Sequence, residues 1–165
     1  HVCYDEGVFI GYRHYDAKGG AGVLYPFGFG LSYTDFEIGA PVASASEIDA
    51  GGSVTVAVEV KNTGQRRGKA VVQLYVAPPE GRGRPVKELR GFKALTLDPG
   101  AAFEARIALD MRDLAYFDVE SNAWKAPAGD YALWVGTSAA DLGGKVTLRL
   151  TEDWTKACKT AAPDA

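Results

Sequence analysis

Apolar and polar residues alternate with a period of two through most of the chain. In SVTVAVEVKN, Val54, Val56, Val58 and Val60 face one way and Thr55, Ala57, Glu59 and Lys61 the other, the mark of a strand with one buried face. KAVVQLYVAP is different. Ala70, Val72, Leu74 and Val76 share one face, while Val71, Gln73, Tyr75 and Ala77 form a second that is nearly as apolar. Two apolar faces predict a central strand, stopped by Pro78 and Pro79, neither of which can donate to a sheet ladder. KELRGFKALTLDPG reads as a strand ending in a turn at Pro99 and Gly100, and AFEARIALD turns Phe103, Ala105, Ile107 and Leu109 inward. Tyr116, Phe117 and Trp124 bracket DVESNA as an aromatic hairpin. The next strand puts Tyr131, Leu133 and Val135 on one face and Trp134 on the other, and KVTLRL closes the set with Val146, Leu148 and Leu150. Residues 38 to 49, polar and alanine-rich, read as an edge strand and a loop.

Turn residues separate these runs: Gly51 and Gly52, then Asn62, Gly64 and Gly68 in NTGQRRG. Asp110 and Asp113 flank MRDL, where capping or turn chemistry outweighs a carboxylate pair doing acid–base work. The pattern gives about seven strands and no convincing helix, and predicts an all-β, antiparallel sandwich of the immunoglobulin or fibronectin type III kind. PEGRGRP, with Arg82 and Arg84, is expected to be a solvated basic hairpin tip, with contact to a ligand as the sharper alternative.

Residues 24 to 36, LYPFGFGLSYTDF, break the alternation. Tyr25, Phe27, Phe29, Tyr33 and Phe36 surround Gly28 and Gly30, with Pro26 in front. Glycines at this density disfavour a helix by about 1 kcal/mol each. An extended ribbon that wedges its rings against a folded body fits better. Before it, EGVFIGYRHYD offers Glu6 or Asp16 as acid or nucleophile and His14 as base. A short apolar segment with hydrogen-bonded, ion-paired ends at a domain boundary is the simpler reading. AKGGAG, at 17 to 22, is expected to be a flexible connector.

Composition narrows the function. Of 165 residues, 47% are hydrophobic and 24% charged, and the net charge of -3 does not recommend nucleic acid or an anionic membrane as a partner. No apolar run approaches the roughly 18 residues of a membrane span. HVCYDEGVFIGYR lacks the basic start and apolar core of a signal peptide, and the chain reads as a piece of something longer. Two histidines, His1 and His14, and two cysteines, Cys3 and Cys158, build no zinc spacing, and the thiols at opposite ends are expected to be unpaired. No cofactor is expected.

Several segments resemble one family. EGVFIGYRHYD followed by LYPFGFGLSYTDF is similar to the end of the α/β sandwich domain, and the entry to the next domain, of glycoside hydrolase family 3 enzymes. VVQLYVAP, RPVKELRGFKALTLDPG, RDLAYFD and AGDYALWVGTSAAD resemble the fibronectin type III-like domain that follows there. The resemblance implies an exo-acting β-glycosidase of the β-glucosidase type. Such enzymes retain configuration through an aspartate nucleophile and a glutamate acid/base, about 5 to 5.5 Å apart across the scissile bond. Both motifs precede this stretch in the family, so no catalytic residue carries over, and Glu6 matches a boundary glutamate. Sugar specificity belongs to the missing domains, and a secreted, periplasmic or cytoplasmic location all stay open.

On this reading residues 1 to 23 are the tail of a preceding domain, 24 to 36 an interdomain segment, 37 to 154 the fibronectin type III-like domain and 155 to 165 a frayed tail. Glu6, Arg13, Tyr25, Phe27, Phe29, Tyr33 and Phe36 are the expected docking residues, with the missing catalytic domains of the same enzyme as partner. The alternative is a carbohydrate-binding module holding a β-linked oligosaccharide on Trp124, Trp134 or Trp154, or a loop at 79 to 88 reaching the outer subsites of the active site.

Overall fold

The computed structural model describes residues 5–79 and 83–158; Cys3, His1, Arg82 and the last seven residues, which carried some of these expectations, lie outside them. Twelve strands and two short helices make up the described chain. β1 (Phe36–Ile38), β2 (Val42–Ala43), β4 (Val54–Asn62) and β7 (Ala102–Leu109) form one sheet. In it β4 takes β7 along one side and β1 and β2 in succession along the other. The second sheet runs β3 (Glu47–Ile48), β11 (Leu142–Leu150), β10 (Gly129–Gly136), β5 (Gly68–Ala77), β6 (Glu88–Leu97), all antiparallel except the β3–β11 pair. A small third sheet, β12 (Trp154–Ala157), β9 (Ala123–Ala126) and β8 (Tyr116–Asp118), covers one end.

The valines of β4, the inner face of β5 and Tyr131, Leu133 and Val135 of β10 share one sealed core, so the all-β sandwich follows from the alternation. β5 is central, as its two apolar faces require. Phe103 departs from its expected inward place: it lies at the rim of β7 opposite Val60 and is half exposed.

Two short helices appear although the pattern gave no convincing helix, one of them at the MRDL turn where capping by Asp110 was expected. Met111–Leu114 forms α2 because Asp110 accepts from the Arg112 and Asp113 amides while the Asp110 amide donates to Asp113 Oδ2, a reciprocal cap. The other is α1 (Tyr12–Ala17), closed by Gly19 and Gly20 amides donating to the Asp16 and Tyr15 carbonyls, so the start of the glycine-rich stretch is a helix terminus with fixed bonds. At the far end pairing continues past residue 154: Thr155, Lys156 and Ala157 ladder onto β9, and the Cys158 amide donates to the Asn122 carbonyl. Among the described residues the Cys158 thiol has no disulfide partner.

Asn62 ties the ribbon to the sandwich at its downstream end. Its buried side chain donates to the Arg66 and Leu97 carbonyls and accepts from Thr34 Oγ1 at 2.7 Å and the Gly64 amide at 3.1 Å. All four hydrogen-bonding positions of the amide are thereby filled. A side chain at Gly64 would collide with Thr34, which is why this turn needs glycine.

Candidate functional site

At the upstream end the ribbon crosses the second face of β5, the one that carries Gln73 and Tyr75. Tyr75 is fully buried and its phenol donates to Gln73 Oε1 at 2.6 Å. Burial, with Tyr12 and Asp16 nearby, holds that phenol well above its ordinary pKa and keeps it a donor. With Oε1 occupied, Gln73 Nε2 is turned to donate to the Gly28 carbonyl at 3.2 Å and the Thr137 carbonyl at 2.6 Å. The Ala139 amide adds a second strap, donating to the Phe27 carbonyl at 2.8 Å. Gly28 has φ +82, and any Cβ there would run into the Gln73 amide, so the crossing requires glycine on both counts.

Helix α1 is pinned beside this crossing. The Tyr12 ring stacks on Phe27 with centroids 4.6 Å apart and meets Tyr75 edge-on at 6.1 Å. Its hydroxyl accepts from the Leu89 amide at 2.8 Å. One turn on, Asp16 pairs with Lys87 at 2.7 Å, and Arg13 pairs with Glu88 at 3.1 Å. The helix and ribbon enclose an apolar hollow of about 240 Å³ lined by Tyr12, Tyr15, Val23, Tyr25, Pro26 and Phe27.

The ribbon's outer surface is left bare. Leu24, Leu31 and Tyr33 are 91%, 90% and 93% exposed and Tyr25 73%, although Tyr25 and Phe29 lie against each other at 5.4 Å. Large apolar groups in such a row are unusual on a surface unless something covers them.

Of the expected docking residues, Arg13 and Phe27 are brought together with the crossing, while Tyr25, Phe29 and Tyr33 stand on the open side. Phe36 belongs to β1 and packs on the sandwich core. Glu6 is exposed; its carbonyl accepts from the Phe9 amide, and no ion pair of its carboxylate occurs among the described residues. Arg84 corrects the expectation of a solvated tip: its side chain is only 5% exposed, paired with Glu88 at 3.5 Å and donating to the Leu114 carbonyl. Sequence reasoning missed Gln73, Lys87 and Glu88. The signal for Gln73 was a lone amide in an apolar strand; for Lys87 and Glu88 nothing marked them apart from surface charge.

The acid–base reading of the first segment finds little support, since Asp16 is engaged by Lys87 and His14 lies edge-on to Tyr15 at 5.4 Å. Among the described residues no group of three His, Cys, Asp or Glu converges to hold a metal. All three tryptophans are half-buried. Trp124 and Trp154 pack on the core, and Trp124 and Trp134 each carry a cation over the ring, Arg112 and Lys145 respectively. Rings covered in this way are poor sugar platforms.

Residues 70–139 match the fibronectin type III-like domain family. The chain is 51% identical over 154 residues to a β-glucosidase of Rhizobium radiobacter, a match that covers 93% of this chain and 19% of that protein. Its fold superposes on β-glucosidase 3B of Thermotoga neapolitana, solved in complex with α-D-glucose, with TM-score 0.86 and 35% identity, covering 95% of this chain and 21% of that one. The glycoside hydrolase family 3 β-glucosidase of Bifidobacterium adolescentis gives TM-score 0.85 and 37% identity over 98% of this chain and 23% of its own. The chain thus spans about a fifth of the length of the relatives it matches. It carries a fibronectin type III-like domain at residues 70–139 and is similar, over nearly its whole length, to the corresponding fifth of glycoside hydrolase family 3 β-glucosidases.

Proposed function

We propose that this chain is the non-catalytic, fibronectin type III-like portion of an exo-acting β-glycosidase of the β-glucosidase type, and that it docks onto and stabilises the catalytic domains of that enzyme. The observation that carries this reading is the ribbon at 24 to 33. It is strapped to the sandwich through Gln73 and Ala139, yet turns Leu24, Tyr25, Leu31 and Tyr33 outward. Rigid backbone beneath bare rings is the arrangement of a preformed contact, because little conformational freedom remains to be lost on association. Each such side chain contributes about 1.5–3 kcal/mol when fully covered.

Hydrolysis with retention would rest on an aspartate nucleophile and a glutamate acid/base in the other domains, so the piece alone is expected to leave β-glucosides intact. Glucose as the terminal sugar is the reading that the β-glucosidase relatives favour. The test is Phe29→Ala in the parent enzyme: a loss of roughly 3 kcal/mol in stability is expected, seen as a lowered melting temperature. A variant that melts and turns over like the parent overturns the docking role.

A further inference from the structure

Around Glu88 the charges do not balance. Arg13, Arg84 and Arg90 all point their guanidinium groups at this one carboxylate, at 3.1, 3.5 and 2.7 Å. The other acidic group that Arg90 influences, Asp113, is already occupied with the cap of α2. Cations therefore outnumber carboxylates among the described residues here.

Hydrogen-bond donors are in excess as well. Arg84 donates to the Leu114 carbonyl and Arg90 to the Ala115 carbonyl, both at 3.2 Å, but the Nε of Arg13, of Arg84 and of Arg90 are all buried with no acceptor among the described residues. Burying one unpartnered guanidinium donor is costly, and three side by side mark a place built for an acceptor. Burial also pushes the Arg84 guanidinium pKa down, a penalty that a nearby anion relieves. Beside these groups is an open hollow of about 390 Å³, walled by the three arginines and by Tyr116, Phe117 and Trp124.

We propose that this hollow is a carboxylate-binding site, with Arg13, Arg84 and Arg90 as the anion-holding groups and the Tyr116–Phe117–Trp124 side as an apolar wall. Guanidinium forks match a carboxylate's two oxygens, whereas a neutral sugar hydroxyl leaves the charge uncompensated. A carboxylate can arrive on an acidic sugar such as a uronic acid or on an acidic side chain of covering polypeptide. The site is separate from the exposed ribbon, so its failure leaves the docking reading untouched.

The test uses the ¹⁵N-labelled chain and follows the Trp124 indole N–H signal, assigned with Trp124→Phe. Sodium acetate, sodium D-glucuronate and D-glucose are titrated at constant ionic strength set with chloride. Acetate and glucuronate are expected to shift the signal saturably, and glucose and chloride not. Arg13→Met is expected to weaken binding by about tenfold or more, and Arg90→Met serves where that variant does not give a folded spectrum. Glu88→Gln, which removes the competing internal carboxylate, is expected to tighten binding; a purely structural arginine cluster predicts no gain. Similar affinities for acetate and glucuronate identify a simple carboxylate, as an acidic side chain supplies. Glucuronate binding that is about tenfold tighter identifies an acidic sugar. No saturable shift with either carboxylate, or an equal shift with chloride, overturns the site.

Discussion

The sandwich core and the ribbon are both rich in large apolar residues, and they treat them in opposite ways. On β10, Tyr131, Leu133 and Val135 are completely sealed, each one filling space between sheets. On the ribbon, Leu24, Leu31 and Tyr33 are almost completely open, and what fixes the backbone there is polar: the Gln73 amide, the Phe27 carbonyl and the Asn62–Thr34 contact. The core obtains its stability from its own side chains. The ribbon obtains its shape from this chain, and the side chains of Leu24, Leu31 and Tyr33 gain almost nothing from burial within it.

That contrast predicts a graded set of effects on the chain by itself. Leu133→Ala, deep in the core, is expected to cost about 2–5 kcal/mol in denaturant unfolding; a loss below 1 kcal/mol would mean that the inner face of β10 is not the core. Gln73→Leu leaves the Tyr75 phenol without its acceptor and releases the Gly28 carbonyl, which should cost about 1–3 kcal/mol and raise amide exchange through residues 26 to 30. Asp110→Ala removes the cap of α2 for about 1 kcal/mol. At the bottom of the scale, Tyr33→Ser should change the stability of the isolated chain by less than about 0.5 kcal/mol. In the parent enzyme the same substitution should be plainly destabilising, and equal effects in both would erase the distinction between core and ribbon.

Legibility followed the same division. Strict alternation at Val54 to Val60 and the doubly apolar KAVVQLYVAP announced a strand with one buried face and a central strand, because a strand's period is local and needs no knowledge of its neighbours. Residues 38 to 49, read as one edge strand and a loop, hold two short pairings, β2 and β3, and β12 was hidden, since two to four residues carry no periodicity and exist only because β4, β11 and β9 supply partners. Helix α1 was hidden for a similar reason: one turn is unstable alone, and it is Leu89, Lys87 and Glu88, more than 70 residues away, that hold it. Arg84 shows the limit most plainly. PEGRGRP looks solvated by composition, and only the approach of α2 and Glu88 takes that side chain out of water.

Whether the ribbon is covered in the parent enzyme is best settled by hydroxyl-radical footprinting of Tyr25, Phe29 and Tyr33, comparing the isolated chain with the intact protein. The account predicts fast labelling of all three in the chain and strong protection of the same rings in the enzyme, with the sandwich core protected in both. Ribbon rings that label equally fast in both would contradict it.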